Sequence, residues 1–279
     1  MRINQNIMAF NAYRNIQTTN TSLGKSLEKL SSGYRINRAA DDAAGLVKSE
    51  SLRAEIRGTQ QAIRNAQDGI SWVQTAEGAL AEVHSILQRM RQLAVDAANT
   101  ATTDGTAQQA EVDQLLSELT AIGSRTTFAG EAVFKDYSAA GAALTYHVGA
   151  NSGQALTIAS DLGLAANDVF GVDLTVIGNA GADALTADAD GAIGVIDGAI
   201  DAVSTVRSQL GATQNRLEHT IANLSVAVEN LTASESRIRD TDMAEEMVSF
   251  TRHQIMAQAG TAMLAQANVV PQSVLRLLG

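Results

Sequence analysis

The sequence has no cysteine, one proline and only ten aromatic side chains among 279 residues. Without cysteine there is no disulfide, thiol nucleophile or thiolate metal site. No apolar run approaches the roughly 20 residues that a membrane-spanning helix needs. The first residues, MRINQN, lack the apolar core of a cleaved signal peptide, so we expect no such cleavage. With few aromatics, the apolar volume comes mostly from Ala, Ile, Leu, Val and Met, which favours packed helices over a compact enzyme fold.

Basic residues are scarce in the middle of the chain. Residues 96–201 carry 2 basic and 15 acidic side chains, whereas residues 1–57 carry 9 basic and 5 acidic ones. An acidic middle with no basic patch argues against nucleic-acid binding. It indicates a solvated surface there, while the two ends of the chain look suited to packing.

Two very long runs of helical periodicity organise the sequence. In the first, from Leu52 to Ala94, apolar or small residues alternate at spacings of three and four, with one slip of phase at Val73. A stripe of that length on one helix requires a partner helix. The second run, from Ile193 to Ile238, is about as long and has the same spacing. We expect the two to pair as antiparallel helical rods in a mainly α, coiled-coil-like bundle.

Shorter helical segments accompany the rods. Helical spacing extends to about Leu30, and the sequence Ser31-Ser32-Gly33 should end that helix, with Gly33 in the left-handed conformation. Asp41-Asp42 provides an N-terminal cap for the helix that follows. Another helix, Gln108 to Ile122, should fold back against the first rod. The closing segment, Met243 to Gly279, has more apolar residues than one stripe requires, which predicts further subunits around it.

The texture changes between about residues 126 and 192, where glycine and aromatics concentrate. Apolar residues alternate with polar ones over 144–148 and 156–158, on either side of a Gly/Asn/Ser turn, which predicts a β-hairpin. Val172, Leu174 and Val176 indicate a third strand. We expect a small β-rich region at the far end of the rods.

No motif supports catalysis or ligand binding. Gly24-Lys25-Ser26 ends like a phosphate-binding loop but lacks the earlier glycine and a preceding strand. Residues 186–197 echo the spacing of a calcium loop, but their first position has no carboxylate and they begin a helix, so helix capping is favoured. The four histidines are scattered. We expect no enzyme activity, no cofactor and no metal.

Several short segments near the two ends of the sequence form a specific set of motifs. They are 27–37 (LEKLSSGYRIN), 41–45 (DDAAG), 64–71 (RNAQDGIS), 74–80 (QTAEGAL), 87–89 (LQR), 94–95 (AV), 210–216 (LGATQNR), 229–231 (ENL), 236–238 (SRI), 266–268 (QAN) and 271–272 (PQ). In these segments the sequence resembles bacterial flagellins. The resemblance covers about the first 130 and the last 85 residues, and weakly Val148–Asn151 between them. One departure is Phe128-Ala129-Gly130, where the family usually has Asn before the glycine.

The resemblance implies a subunit of the flagellar filament, a hollow helical fibre turned by a rotary motor and used for motility. It implies an inner-tube domain from residues 1–42 and 239–279, and a rod domain, 43–238, whose β-rich portion is about 126–192. In the family the terminal segments become helical only on assembly. The residues that we expect to pack subunits together are Leu23, Leu27, Leu30, Met263, Leu264, Val274, Leu275 and Leu278.

The resemblance also implies partners and a location. Family members are secreted through the flagellar type III export apparatus, escorted by a chaperone that holds the C-terminal segment, and become part of the extracellular filament beside junction and cap proteins. Vertebrate Toll-like receptors recognise a patch on the rod domain, and the matching positions here are Arg89, Leu93 and Glu111. These three residues can equally serve contacts between neighbouring subunits.

Two alternatives remain at this stage. The hook–filament junction protein shares the terminal patterns, although the fit of both ends favours the filament subunit. A secreted helical toxin or membrane-active bundle would also have long amphipathic helices, but the acidic middle and the scarcity of basic amphipathic faces disfavour it.

Overall fold

The computed structural model describes residues 6–99, 105–134, 144–158, 164–165, 168–169, 172–174, 177–178, 185–186 and 188–278, with the side chains of 164, 165, 168 and 270–278 left aside. Five helices and seven short strands lie in these ranges. The helices are α1 (Ile7–Ser32), α2 (Ala43–Ala97), α3 (Thr106–Arg125), α4 (Ala189–Arg239) and α5 (Met243–Leu278). The strands are β1 (Thr127–Phe128), β2 (Glu131–Ala132), β3 (Thr145–His147), β4 (Ala155–Thr157), β5 (Leu164–Ala165), β6 (Asp168–Val169) and β7 (Val172–Asp173).

The mainly α fold class that the sequence predicts is confirmed, with α2 and α4 as its two long helices. No helix in the described ranges has both the length and the apolar character to span a membrane. The contacts divide the chain into two units, Met1–Ile56 with Glu229–Gly279, and Arg57–Val228. We call the first the terminal unit and the second the central unit, and each is described by itself.

In the central unit α2 and α4 are antiparallel. Arg207 contacts Glu77 with its Nη2 atom 3.8 Å from Oε1, and Arg91 Nε lies 2.6 Å from Asp197 Oδ1. From Glu77 to Arg91 the residue number on α2 rises, while the number of the partner on α4 falls from Arg207 to Asp197, so the two helices run in opposite directions. The predicted stripe from Ala76 to Ala94 is completely buried in the resulting core. The residues of α4 that close it include Ile196, Val203 and Leu210.

Helix α3 folds back onto α2, as the sequence predicts. Val112, Leu116 and Leu119 of α3 are buried in the same cluster as the α2 stripe. Near the turn between the helices, Gln108 Nε2 donates to Asp96 Oδ2 at 2.7 Å. The central core is therefore a three-helix packing whose apolar volume comes mainly from aliphatic side chains.

The predicted helix ends are confirmed. Gly33 follows α1 with φ of 75°, in the left-handed region, and its N–H donates to Lys29 O. Asp42 caps α2, because its Oδ1 atom accepts from Gly45 N at 3.0 Å. Asp188 caps α4 in the same way through Gly191 N, also at 3.0 Å. In the segment that echoes a calcium loop, the Asp188 carboxylate is thus engaged as a cap and that of Asp197 pairs with Arg91.

The predicted hairpin is confirmed as β3 and β4, with Tyr146 opposite Leu156. Its predicted place at the far end of the rods is wrong for this hairpin, because it lies beside Gly58 and Asn65 of α2, well before that helix ends at Ala97. It packs on α2 where that helix has small residues: a Cβ added to Gly58 would lie 3.1 Å from the Cβ of Ala150. Asn65 Nδ2 of α2 also donates to His147 O at 3.0 Å.

The remaining strands are very short. Of the predicted third strand, Val172 lies in β7, which pairs with β6 in a three-stranded sheet, β5-β6-β7. Leu174 follows that strand and is not part of it, and Val176 lies outside the described residues. The β1–β2 hairpin was not predicted. Its turn has two positive φ angles, 53° at Ala129 and 89° at Gly130, the pattern of a type I′ turn.

A buried glutamine joins the β-rich segment to α3. Gln109 Nε2 donates to Ile177 O at 2.9 Å, and its Oε1 accepts from Leu185 N at 2.9 Å. Nε2 also lies 3.0 Å from Asp113 Oδ1. Because the amide offers both a donor and an acceptor, one side chain satisfies two buried backbone groups that neither a helix nor a sheet would pair.

Candidate assembly interface

The terminal unit pairs α1 with α5 in antiparallel fashion. At one end of the pair Asn6 Nδ2 donates to Ala267 O at 2.8 Å, and at the other Lys29 Nζ lies 3.6 Å from Glu246 Oε2. Between them the helices approach closely at Gly260, where an added Cβ would lie 2.7 Å from Ile16 Cγ1. Glycine is the residue that permits this approach.

The pairing leaves a large apolar surface uncovered. On α1 and α5 the exposed large hydrophobic side chains are Ile7, Met8, Phe10, Tyr13, Leu27, Met243, Met247, Val248, Ile255, Met256, Met263 and Val269. Phe10 is 75% exposed and Met263 63%. A shallow groove on α5 is lined by Met247, Val248, Thr251, Arg252, Ile255 and Met256. Contiguous exposed apolar surface of this kind is typical of an interaction site, since an isolated soluble protein gains by burying it.

The predicted packing residues are distributed around this pair. Leu27 and Met263 are exposed, while Leu23, Leu30 and Leu264 are half-buried. Val274, Leu275 and Leu278 belong to α5, but their side chains lie outside the described part of the structure. The exposed members are available to a second molecule.

A cluster around Tyr34 joins the two connections of the terminal unit. The segment after α1 pairs with the segment after α4 through a bridge between Tyr34 and Asp240, through Arg35 N donating to Arg239 O at 2.7 Å, and through Thr241 N donating to Gly33 O at 3.0 Å. The guanidinium carbon of Arg239 lies 4.8 Å from the centroid of the Tyr34 ring, and that of Arg53 5.7 Å away. Both distances fit cation–π contacts.

Ion pairs hold the two arginines in place. Arg53 Nε lies 3.2 Å from Glu235 Oε1, and Arg239 Nη1 lies 2.8 Å from Glu50 Oε1. The cluster therefore fixes the ends of α1, α2, α4 and α5 to one another within the terminal unit. No sequence pattern predicts this cluster, because its members are up to about 200 residues apart and share no local motif.

The carboxylate of Asp41 orders the segment that precedes α2. Asp41 Oδ2 accepts from the backbone N–H groups of Asn37 and Arg38 at 3.2 and 3.0 Å. These bonds, that of Arg38 above all, favour the ionised form and hold the pKa of the Asp41 carboxyl below its usual value.

The predicted receptor patch lies on α2 and α3 of the central unit. Arg89 Nε donates to Glu111 Oε1 at 2.8 Å, and both side chains are about half exposed. This hydrogen bond, reinforced by the carboxylate charge, raises the pKa of Arg89. Leu93, one turn further along α2, is only 6% exposed and belongs to the helical core. The structure thus brings Arg89 and Glu111 together at the surface and leaves little of Leu93 to contact.

The described residues hold no group of three or more His, Asp or Glu side chains that is arranged to bind a metal ion.

Comparison with known proteins finds a family match at each end of the chain. Residues 3–139 match the family description "Bacterial flagellin N-terminal helical region", and residues 193–278 match "Bacterial flagellin C-terminal helical region". The sequence is 52% identical over 283 residues to a flagellin of Halalkalibacterium halodurans and 48% identical over 303 residues to a flagellin of Bacillus subtilis. All of both chains is covered in each case.

A spirochaete flagellin and a solved structure are also similar to this chain. The flagellin FlaB1 of Treponema pallidum is 42% identical over 289 residues, again over the whole of both chains. A putative flagellar hook-associated protein from Vibrio parahaemolyticus has a similar fold, with a TM-score of 0.55 and 14% identity over 72% of this chain and all of that one. At that identity the structural likeness concerns the fold alone.

Proposed function

This chain belongs to the bacterial flagellin family and is a structural subunit of the flagellar filament, and we propose that it polymerises through the uncovered apolar faces of α1 and α5. The observation that carries the proposal is the row of exposed large side chains on these two helices. Copies of the same chain are the occupants of this surface, because self-association is what the family membership supports.

The polymer that we propose is a hollow helical fibre. Residues 1–42 with 239–279 form its inner tube, and residues 43–238 form rods around it. The antiparallel α1–α5 pair supports this assignment, because both of its helices carry exposed large apolar side chains that gain by burial against neighbouring copies. The central unit has an aliphatic core of its own and half-exposed charged residues at its surface. Such a unit can stay folded as a rod in the fibre.

Sedimentation after seeding tests polymerisation directly. The purified chain should pass from monomer to long filaments when short filament fragments are added. A junction protein would not elongate by itself, and a membrane-active bundle would release the contents of lipid vesicles. Failure to elongate under conditions in which the Bacillus subtilis flagellin does so would contradict the proposal.

Truncation and substitution locate the interface. Deleting residues 240–279 should leave the central unit folded, as measured by circular dichroism, but abolish polymerisation. Leu27→Lys and Met263→Lys should have the same effect, because a charge would have to be buried without a partner at each interface. The matched controls Leu27→Met and Met263→Leu keep apolar volume and should polymerise. Normal filaments from the truncated chain or from both lysine variants would refute the interface.

The proposal extends to partners and to the route of export. We place junction and cap proteins at the ends of the filament, and an export chaperone on the C-terminal segment before passage through the flagellar type III apparatus. The groove on α5 supports the need for such a chaperone, because its methionines are uncovered in the isolated chain. Co-purification of the chaperone with the full chain but not with the truncated one would test this assignment.

We place a contact for vertebrate Toll-like receptors at Arg89 and Glu111, with Leu93 acting by packing beneath them. The exposed ion pair supports direct contact, and the burial of Leu93 supports the indirect role. Arg89→Ala should then weaken receptor signalling by monomers without lowering the thermal stability of the central unit. Equal signalling by this variant would remove the patch from consideration.

A further inference from the structure

The single proline of the sequence, Pro271, lies inside α5, seven residues before that helix ends at Leu278. Proline has no backbone N–H, so Pro271 cannot make the hydrogen bond to the carbonyl four residues before it, which belongs to Ala267. In a regular helix that carbonyl would accept from the residue at position 271. The proline therefore leaves one carbonyl of α5 without its ordinary donor.

Asn6 supplies a donor to that carbonyl. Its Nδ2 atom lies 2.8 Å from Ala267 O, while its Oδ1 atom accepts from Ala9 N at 3.1 Å as the N-cap of α1. Its backbone carbonyl accepts from Phe10 N at 3.1 Å. The side-chain amide is thus engaged at both ends, with the oxygen on its own helix and the nitrogen on the partner helix.

We propose that Asn6 and Pro271 form a latch that sets the register of α1 against α5. Pro271 opens one backbone acceptor, and Asn6 at the start of α1 fills it. If α1 slid by one helical turn, about 5.4 Å, the amide of Asn6 would face carbonyls that already accept from their own helix. The latch therefore selects one register among those that apolar packing alone would tolerate.

The latch acts in the assembly described above and so rests on the proposed function. The apolar faces of α1 and α5 reach neighbouring copies only if the two helices present them at a fixed offset. A residue that fixes this offset is a positioning residue of the interface. If Asn6 acted only as an N-cap, replacing it would have the same effect whether or not residue 271 carries an N–H. If Asn6 acts as the latch, the effect depends on that N–H.

A double-mutant cycle separates the N-cap role of Asn6 from its role in the latch. Asn6→Asp keeps the shape of the side chain and its capping oxygen, because Asp and Asn are comparable N-caps, but removes the donor. In the otherwise unchanged chain it should raise the critical concentration for polymerisation at least about fivefold, because one hydrogen bond is lost and a carboxylate oxygen then faces Ala267 O. Together with Pro271→Ala, which restores an N–H for Ala267 O, the same substitution should raise it clearly less, because only the contact between the two oxygens remains.

The register itself is measurable, because the chain has no cysteine and an engineered pair has no competitors. A Cβ added to Gly260 would lie 3.9 Å from the Cβ of Ile16, which matches the separation in a disulfide. The double variant Ile16→Cys with Gly260→Cys should therefore oxidise readily in the native register. Adding Asn6→Asp should lower the yield of this disulfide severalfold, and adding Pro271→Ala as well should restore it.

The outcomes are distinguishable. Equal effects of Asn6→Asp with and without Pro271→Ala, on either the critical concentration or the disulfide yield, would reduce Asn6 to a plain N-cap and overturn the latch. If the unchanged chain formed no filaments, the proposed function would fail, while the disulfide yields would still decide whether the latch sets the register.

Discussion

Gln109 offers a sharp test of how the β-rich segment is held. Its amide nitrogen donates to Ile177 O and its oxygen accepts from Leu185 N, both at 2.9 Å, and the side chain is only 4% exposed. Gln109→Glu changes one NH₂ group into an oxygen and leaves the volume almost unchanged. The acceptor for Leu185 is kept, but Ile177 O loses its donor and meets a second oxygen.

The expected cost follows from these contacts. Leaving a buried carbonyl without a partner costs about 1–3 kcal/mol. The new carboxylate would also lie next to Asp113, whose Oδ1 atom is 3.0 Å from the present Nε2, so like charges would repel across a partly buried contact. We expect the free energy of unfolding at pH 8 to fall by roughly 2–4 kcal/mol.

The cost should depend on pH with a definite sign. Burial and the neighbouring carboxylate both raise the folded-state pKa of the new glutamate above its unfolded value of about 4.3. The neutral acid can donate to Ile177 O much as the amide does. The destabilisation is therefore full above the raised folded-state pKa, shrinks as the pH falls through it, and is largely absent below about 4.3.

Urea unfolding of the central unit, followed by circular dichroism between pH 8 and pH 5, measures this difference. Gln114→Glu is the matched control, because Gln114 lies on the same helix but is exposed, and it should change stability by less than about 0.5 kcal/mol at every pH. If the two variants had the same pH dependence, or if Gln109→Glu were as stable as the parent at pH 8, the anchoring role of Gln109 would be wrong.

Two further predictions concern the core and a turn of the central unit. Leu87→Ala should lower the free energy of unfolding by about 2–5 kcal/mol, because Leu87 is completely buried; Leu87→Met should cost less than about 1.5 kcal/mol in the same urea titration, and equal costs would contradict tight packing there. Ala129→Gly should raise the melting temperature, since the left-handed backbone at φ 53° costs an L-residue about 1–2 kcal/mol, partly offset by the entropy of glycine. Ala129→Asn should stabilise in the same direction, and a lower melting temperature for both would rule out strain at this turn.

The helical part of the fold was predictable because its information is local. The stripe from Ala76 to Ala94 is buried as the three- and four-residue spacing indicated, and Gly33 and Asp42 end and begin helices as their side chains and backbone preferences require. The hairpin of β3 and β4 was predictable for the same reason, since its strands alternate around a turn. Strands of two residues such as β1 and β5 are too short to show a period-2 alternation, so their pairing could not be predicted.

The candidate interface was predictable only in outline. The surplus of apolar residues in the closing segment predicted an uncovered surface, but which side chains face outward depends on how α1 lies on α5. Met263, for example, is exposed, whereas its neighbour Leu264 is half-buried. Helix packing also puts Leu93 in the core, although Arg89 and Glu111 of the same predicted patch lie at the surface.

The sequence by itself determined where this protein is helical, where its helices begin and end, and that long apolar stripes must find partners, because each of these properties depends on residues a few positions apart. Tertiary structure alone decided the contacts of Gln109 with Ile177 and Leu185, the stacking of Arg53 and Arg239 on Tyr34, and the bond from Asn6 to Ala267. Each of these joins residues between 19 and 261 positions apart. A polar side chain has many possible partners along a chain, and only the packing of the helices selects the one that it meets.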